Sequence, residues 1–198
     1  QRGVFLTTDG GATWQRVLGD DEWVGATDLA IDPRDPDRLY AATWQRHRNV
    51  AAYMGGGPGT ALHRSVDGGR TWKKLTRGLP ESRMGKIGLA ISPQDPDVVY
   101  ATIELANRTG SMYRSEDGGE TFARLPLNSR HVDDHALWIN PQDSRHLIVG
   151  NDGGIAISRD RGATWRYVRN LPLSQFYHIA VDNDHPYNVY GGLQDNGS

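Results

Sequence analysis

The segment TTDGGATW, from Thr7 to Trp14, decides the fold because it recurs three more times along the chain. The other copies are SVDGGRTW, SEDGGETF and SRDRGATW, which begin at Ser65, Ser115 and Ser158. All four share the pattern Ser/Thr-x-Asp-x-Gly-x-Thr-aromatic. The copies recur at intervals of about 40–60 residues, and a period of this length indicates one structural unit repeated along the chain.

A second element alternates with these boxes. It reads LAIDPRDPDRLYAAT, LAISPQDPDVVYATI, LWINPQDSRHLIVGN and IAVDNDHPYNVYGGL, beginning at Leu29, Leu89, Leu137 and Ile179. Each copy is an apolar, β-rich run, a turn rich in Pro, Asp and Asn, and a second apolar run, which is the pattern of a β-hairpin. The box itself favours a second hairpin, since Asp and Ser/Thr side chains can close a turn and Gly supplies positive φ.

Two hairpins per repeat predict four strands, A to D, with the Pro/Asp turn joining A to B and the Asp box joining C to D. Repeats of this kind are typical of an all-β protein, a β-propeller built from four-stranded antiparallel blades. The chain holds about four blades' worth of strands. The predicted single propeller region is divided into a half blade at 1–20, full blades at 21–80, 81–127 and 128–171, and a half blade at 172–198.

Composition excludes several classes of function. The chain has 198 residues, a net charge of -2, 37% hydrophobic residues and no cysteine. This balance argues against a general nucleic-acid surface, and no apolar run is long enough for a membrane-spanning helix. The absence of cysteine excludes disulfides, thiolate catalysis and cysteine-ligated zinc.

The boxes resemble those of BNR/Asp-box propellers, and the chain as a whole is most similar to bacterial sortilin-like (VPS10-type) proteins with glycosyl hydrolase BNR repeats. Matching stretches include GATDLAIDPRDPDRLYAATW, HVDDHALWINP, GNDGGIAISRDRGATW and QFYHIAVDNDHPYNVYGGLQDNGS. The resemblance implies a larger or paired propeller. It also implies a bacterial cell-envelope or extracellular location, although no targeting signal is visible in the sequence.

Strand order predicts which rim of the propeller carries chemistry. Strands A and B are antiparallel, so the end of each strand B lies beside the start of its strand A, opposite the Asp boxes. Polar and aromatic residues gather at that rim, which is the expected ligand site. The candidate ligand-binding residues are His131, Asp133, His135, Asn151, Asp152, Gln194, Asp195, Asn196, Trp44 and Arg46.

Two segments of the sequence each allow a metal site or a simpler structure without a metal. His131, Asp133 and His135 alternate as they would on one face of a strand, so they can hold Zn²⁺ or form a hydrogen-bonded network. The segment from Asn151 to Gly154 favours either a Ca²⁺-binding loop or a plain turn.

The Asp-box residues are predicted to be structural, because four equivalent copies do not make one active site. The aromatic residues are core wedges, whereas Trp44 is equally a core residue or a sugar platform. The structural set is Asp9, Gly11, Trp14, Asp67, Gly69, Trp72, Asp117, Gly119, Phe122, Asp160, Gly162 and Trp165.

Three functions remain open from the sequence. The first is a non-catalytic module of sortilin type that takes a peptide or glycan at the channel rim. The second is a glycoside hydrolase, which needs two carboxylates, with Asp133, Asp152, Glu104 and Asp195 as candidates. The third is a scaffold without a small ligand. Exposed strand edges and blade faces also predict self-association, or packing against the remainder of a longer chain.

Overall fold

The structure is a computed structural model that describes residues 2–19, 21–81, 84–105, 110–126, 134–151, 154–168 and 176–193. Regular structure in these residues is entirely β, which confirms the predicted fold class. None of the described residues forms a helix long and apolar enough to cross a membrane. The chain divides into two compact units, Gln1–Tyr167 and Val168–Ser198.

The first unit begins with a hairpin and continues with three four-stranded antiparallel sheets, each in simple A-B-C-D order. The hairpin contains β1 (Val4–Leu6) and β2 (Gln15–Leu18). Sheet 1 contains β3 (Val24–Ile31), β4 (Leu39–Gln45), β7 (Ala61–Ser65) and β8 (Lys73–Leu75). The connection from β4 to β7 forms a small hairpin of β5 (His47–Arg48) and β6 (Tyr53–Met54).

The same meander repeats twice more. Sheet 2 contains β9 (Met84–Ile91), β10 (Val99–Leu105), β11 (Gly110–Ser115) and β12 (Ala123–Arg124). Sheet 3 contains β13 (Asp134–Ile139), β14 (Leu147–Asn151), β15 (Gly154–Ser158) and β16 (Arg166–Val168). The second unit contains the hairpin of β17 (Phe176–Val181) and β18 (Val189–Leu193).

The hydrophobic core lies between successive sheets. One cluster joins sheets 1 and 2, and a second joins sheets 2 and 3. Strands β4 and β10 are buried on both faces over five consecutive residues, which explains why they read as continuous apolar runs rather than as alternating ones. Buried members of the two clusters include Tyr40, Leu62, Leu75, Ile87, Ile103, Phe122, Tyr100, Met112, Leu147, Val149 and Trp165.

Polar contacts also join neighbouring sheets. The Tyr40 hydroxyl and the Arg64 guanidinium of sheet 1 both donate to the carbonyl of Gly118 in the Asp box of sheet 2, at 2.8 and 2.7 Å. One sheet further on, Tyr100 and Arg114 donate to the carbonyl of Arg161, at 3.4 and 3.0 Å. A Tyr–Arg pair thus binds the Asp box of the next sheet twice, once between sheets 1 and 2 and once between sheets 2 and 3.

The pairing of strands A and B contains a β-bulge near one end in each sheet. The register shifts between Ala26 and Asp28 in β3, and between Asp134 and Ala136 in β13. In sheet 2 the shift falls between Ile103 and Leu105 of β10. A bulge places two residues opposite one, so it interrupts the strict alternation of side chains and redirects those beside it.

Candidate functional site at the rim where the B strands end

The Asp boxes and the turns between strands A and B share one rim. Gly68 of the box that begins at Ser65 donates its backbone N–H to the Asp37 carbonyl of the turn, at 3.1 Å. Gly118 donates to the Asp97 carbonyl at 2.9 Å in the next sheet. The opposite rim is called here the B–C rim. It carries the last residues of the three B strands, which are Gln45, Leu105 and Asn151.

Each Asp box is closed by the same hydrogen bonds. In the copy at Ser65, the serine Oγ donates to Oδ1 of Asp67 at 2.7 Å and accepts the Gly69 N–H at 2.9 Å. Thr71 donates its backbone N–H to Oδ1 at 2.9 Å and its hydroxyl to Oδ2 at 2.6 Å. The Thr71 side chain is the largest cause that lowers the pKa of Asp67 to about 2. A carboxylate saturated in this way is poorly suited to proton transfer.

The aromatic residues that end the boxes differ in solvent exposure, depending on whether a preceding sheet packs against them. Phe122 and Trp165 are 3% and 8% exposed, because each packs back against the preceding sheet. Trp14 is 61% exposed and follows the short β1–β2 turn. The same sequence pattern therefore gives a core wedge only where a neighbouring sheet covers it.

Trp44 and Arg46 lie together at the end of β4. The indole Nε1 donates to the Gly55 carbonyl at 2.8 Å, and this contact ties the ring to the connection between β4 and β7. The Arg46 guanidinium carbon lies 5.0 Å from the centre of the Trp44 ring, a cation–π arrangement that occupies one ring face. At most the other face remains for a ligand.

Glu104 is the residue before the last of strand B in sheet 2 and is half-buried. Its Oε2 accepts the backbone N–H of Lys86 at 3.2 Å. A Cβ on the neighbouring Gly85 would lie only 2.8 Å from the same oxygen, so glycine is needed for the carboxylate to approach the backbone here. This contact positions Glu104 on the B–C rim and joins it to the backbone of strand A.

Asn151 ends strand B of sheet 3 and contacts a carboxylate that the sequence analysis did not select. Its Nδ2 donates to Oδ1 of Asp134 at 3.3 Å, across the pair of β13 and β14. The register between β13 and β14 shifts between Asp134 and Ala136, beside this contact.

Several candidates lie outside the described residues, so their placement stays a prediction. These are His131, Asp133, Asp152, Gln194, Asp195 and Asn196, together with the side chain of His135. Among the residues that the structure does describe, no group of three or more His, Asp or Glu side chains is arranged to hold a metal ion. The Zn²⁺ and Ca²⁺ sites therefore remain expectations from the sequence.

A carboxylate that sequence reasoning missed lies between the A strands. Asp28 stands at the bulge of β3, where its Oδ2 accepts the backbone N–H of Leu89 in sheet 2 at 2.7 Å. It borders a cleft of about 230 Å³ that Thr102 of sheet 2 and Ala136 of sheet 3 also line. The only signal in the sequence was an acidic residue within an otherwise apolar strand.

Two larger cavities open on the B–C rim on either side of β8. One, of about 600 Å³, is lined by residues that include Leu75, Leu79 and Met84. The other, of about 400 Å³, lies on the side of β2 and includes His63 in its wall. Both are bordered by Pro58 of the connection between β4 and β7.

The three repeated sheets, their box rim and the polar B–C rim define the class of this chain as an Asp-box β-propeller. The model of the family described as Sortilin, neurotensin receptor 3 (Sortilin-Vps10) matches residues 60–190, and the BNR/Asp-box repeat matches residues 5–16. The chain belongs to the Sortilin-Vps10 family.

Similar proteins include enzymes named as xyloglucanases. The chain is 27% identical over 202 residues to "Xyloglucanase Xgh74A" of Acetivibrio thermocellus, covering 85% of this chain and 23% of that protein. The structure of a GH74 xyloglucanase from Xanthomonas campestris superposes with a TM-score of 0.64 at 19% identity, covering 96% of this chain and 30% of the other.

A third match is the structure of a complex with a peptide. The structure described as YCF48 bound to D1 peptide superposes with a TM-score of 0.51 at 17% identity, covering 71% of this chain and 38% of the other. At these identities the solved structures show the shared fold alone. The chain spans about a quarter of the length of the xyloglucanase relative that it matches.

Proposed function

We propose that the chain is a binding module that takes a glycan at its B–C rim. The observation that carries this proposal is the placement of Trp44, Glu104 and Asn151 at the ends of strands B in three successive sheets. Polar groups beside one partly open aromatic ring suit a sugar, which offers hydroxyl groups and an apolar ring face. The xyloglucanase relative makes xyloglucan the first glycan to test.

Hydrolysis of a glycan is the second candidate function. The relatives are named as xyloglucanases, which favours this function, and both Glu104 and Asp134 are described carboxylates on the correct rim. A retaining glycosidase needs a second carboxylate at about 5–5.5 Å, and an inverting one at about 6.5–9.5 Å. Asp133, Asp152 and Asp195 are the sequence candidates for that partner. A peptide ligand, in keeping with the sortilin-type family, is a further outcome of the same experiment.

Binding and turnover measured on the same variants distinguish these functions. We expect wild-type protein to bind xyloglucan oligosaccharides in calorimetry and to release no reducing ends. Trp44→Ala should weaken binding about tenfold through loss of the ring face, whereas Trp44→Phe should retain part of the affinity. Glu104→Gln should change affinity little, because the Glu104 carboxylate accepts a hydrogen bond from the backbone N–H of Lys86.

Glu116→Gln is the matched control, since Glu116 pairs with Arg114 at 3.0 Å within the Asp-box region. Release of reducing ends by the wild type, lost in Glu104→Gln but retained in Glu116→Gln, would establish the hydrolase instead. Binding of acidic or apolar peptides without any glycan binding would replace the glycan proposal. A glycan ligand agrees with the cell-envelope or extracellular location that the resemblance implies.

A further inference from the structure

The small cleft between the A strands brings together one equivalent position from each of three sheets. Asp28, Gly88 and Ala136 each stand directly before the Leu-x-Ile run of β3, β9 and β13, and all three line this cleft of about 230 Å³. Glycine and alanine leave open the space that a larger side chain would fill. Among the described residues that line the cleft, called here the Asp28 cleft, Asp28 alone carries a charge.

The Asp28 carboxylate is half-buried and has no counter-ion among the described residues. Its Oδ2 accepts the N–H of Leu89 at 2.7 Å, and its Oδ1 accepts the N–H of Leu29 at 2.9 Å. Each carboxylate oxygen can accept more than one hydrogen bond, so both retain capacity for a ligand. A partly desolvated negative charge without a cation favours a ligand that brings a positive one.

A hydroxyl without a partner also faces the cleft. Thr102 of β10 is only 6% exposed and lines the cleft, and its hydroxyl forms no hydrogen bond with the described residues. Its cross-strand partner is Gly88, where a Cβ would lie 2.8 Å from Thr102 Oγ1 and 4.0 Å from Asp28 Oδ2. The missing side chain therefore leaves a notch that the hydroxyl and the carboxylate share. A buried polar group gains from a ligand atom that supplies its missing partner.

The walls of the notch are fixed by contacts between sheets 1 and 2. The Thr27 hydroxyl donates to the Ile87 carbonyl at 3.2 Å, and Asp28 accepts the N–H of Leu89. The two backbone groups that flank Gly88 are thus both tied to β3, so the site is formed before a ligand arrives, which lowers the entropic cost of binding. Its volume is below the about 300–1,000 Å³ of pockets for drug-sized ligands, so it suits one small group of a larger ligand.

We propose that the Asp28 cleft binds the ammonium group of an amino sugar, with Asp28 as its counter-charge and the Thr102 hydroxyl as a second acceptor. The inference rests on the proposed glycan-binding function and adds a substrate class, an oligosaccharide that contains unacetylated hexosamine. An ammonium group offers three donors and no acceptor, which matches a site of acceptors that lacks a cation. Charge-assisted hydrogen bonds are about twice as strong as neutral ones, so the amine should be preferred to a sugar hydroxyl.

The test compares the trisaccharide of glucosamine with the same trisaccharide fully N-acetylated, using the full chain and calorimetry at a pH at which the sugar amine is protonated. The amine form should bind at least about tenfold more tightly. Asp28→Asn should remove that preference, because the amide keeps an oxygen for the N–H of Leu89 but carries no charge. Glu22→Gln is the matched control, since it makes the same change in net charge at an exposed position outside the cleft, and it should leave the preference unchanged.

Two further variants and the salt concentration give independent readouts. Thr102→Val keeps the shape of the side chain but removes the hydroxyl, and Gly88→Ala places a Cβ in the notch, so both should weaken binding of the amine form. Added salt should reduce the preference for the amine, because it screens the attraction to Asp28. Trp44→Ala should leave the preference unchanged, since Trp44 lies on the B–C rim and does not line the cleft. Near-ultraviolet circular dichroism verifies that each variant folds.

Equal affinity for the two trisaccharides in the wild type, or no binding of the amine form, would overturn the Asp28 cleft proposal while leaving xyloglucan binding at the B–C rim intact. A preference that survives Asp28→Asn would likewise overturn it. Binding of trilysine with no binding of the amine trisaccharide would also overturn it, because the ammonium group would then belong to a peptide. Failure of xyloglucan alone, with the amine preference present, would count against the B–C rim proposal only.

Discussion

At the scale of single residues, the Asp box depends on one carboxylate that accepts several short hydrogen bonds. Asp9 and Asp67 each accept from a hydroxyl two residues earlier and from a threonine four residues later. These bonds favour the charged form, and the threonine side chain is the largest cause that lowers the pKa of each aspartate to about 2. The box is thus a turn that stays closed while the aspartate is ionised.

Replacing Asp67 tests this role. We expect Asp67→Ala to lower the Tm by about 2–4 °C at neutral pH, because the Thr71 and Ser65 groups lose their acceptor. The folded pKa of Asp67 is below its ordinary value of 3.8, so its contribution is complete above that value and is lost as the pH falls towards 2. The Tm difference between wild type and variant, followed by thermal circular dichroism, should shrink over that interval.

Glu22→Gln is the control, since Glu22 is exposed and lies outside the boxes. Its Tm should match the wild type at every pH. A difference for Asp67→Ala that stays constant down to pH 2 would show that the carboxylate charge does not contribute.

At the scale of elements, neighbouring sheets are joined by the repeated Tyr–Arg pairs. Tyr40 is fully buried, and burial raises the pKa of its hydroxyl, so the phenol stays protonated and donates to the Gly118 carbonyl. Arg64 donates to the same carbonyl. The Tyr–Arg pair occurs in sheets 1 and 2. In sheet 3 the aligned positions carry the apolar residues Ile148 and Ile157.

Removal of one hydroxyl measures this contact. Tyr40→Phe should lower the free energy of unfolding by about 1 kcal/mol, since Arg64 still satisfies the Gly118 carbonyl. Tyr100→Phe should cost less, because its hydroxyl lies 3.4 Å from the Arg161 carbonyl whereas the Tyr40 contact is 2.8 Å. Urea unfolding of both variants provides the comparison, and an equal or larger loss for Tyr100→Phe would contradict it.

At the scale of the whole molecule, large apolar side chains remain exposed in the two hairpins of β1–β2 and β17–β18. Trp14 is 61% exposed, and Ile179, Val181 and Val189 are each more than half exposed. Apolar strands with unpaired edges favour association with other strands. We therefore propose that the chain of 198 residues self-associates in solution.

Sedimentation velocity across a range of concentrations tests self-association. The sedimentation coefficient should increase with concentration in the wild type, and Val181→Lys should reduce this increase because it places a charge on an apolar strand. Val50→Lys is the control, since Val50 is fully exposed at the tip between β5 and β6 and belongs to neither hairpin. A single monomeric species at all concentrations would contradict the proposal.

The sequence by itself determined the repeat, the strand order and the hydrogen-bonding residues of each box. Those features depend on residues a few positions apart, such as Ser65, Asp67 and Thr71, and on apolar runs that follow one another along the chain. The rim that carries Trp44 and Glu104 also followed from strand order alone, because antiparallel neighbours must reverse direction.

Only the tertiary structure decided which side chains meet between elements. The β-bulges redirected Asp28 towards Leu89, and the pairing of β7 with β8 placed His63 beside Lys74. Identical box aromatics became buried at Trp165 and exposed at Trp14. Register and the presence of a neighbouring sheet are long-range properties, so a local pattern in the sequence does not fix them.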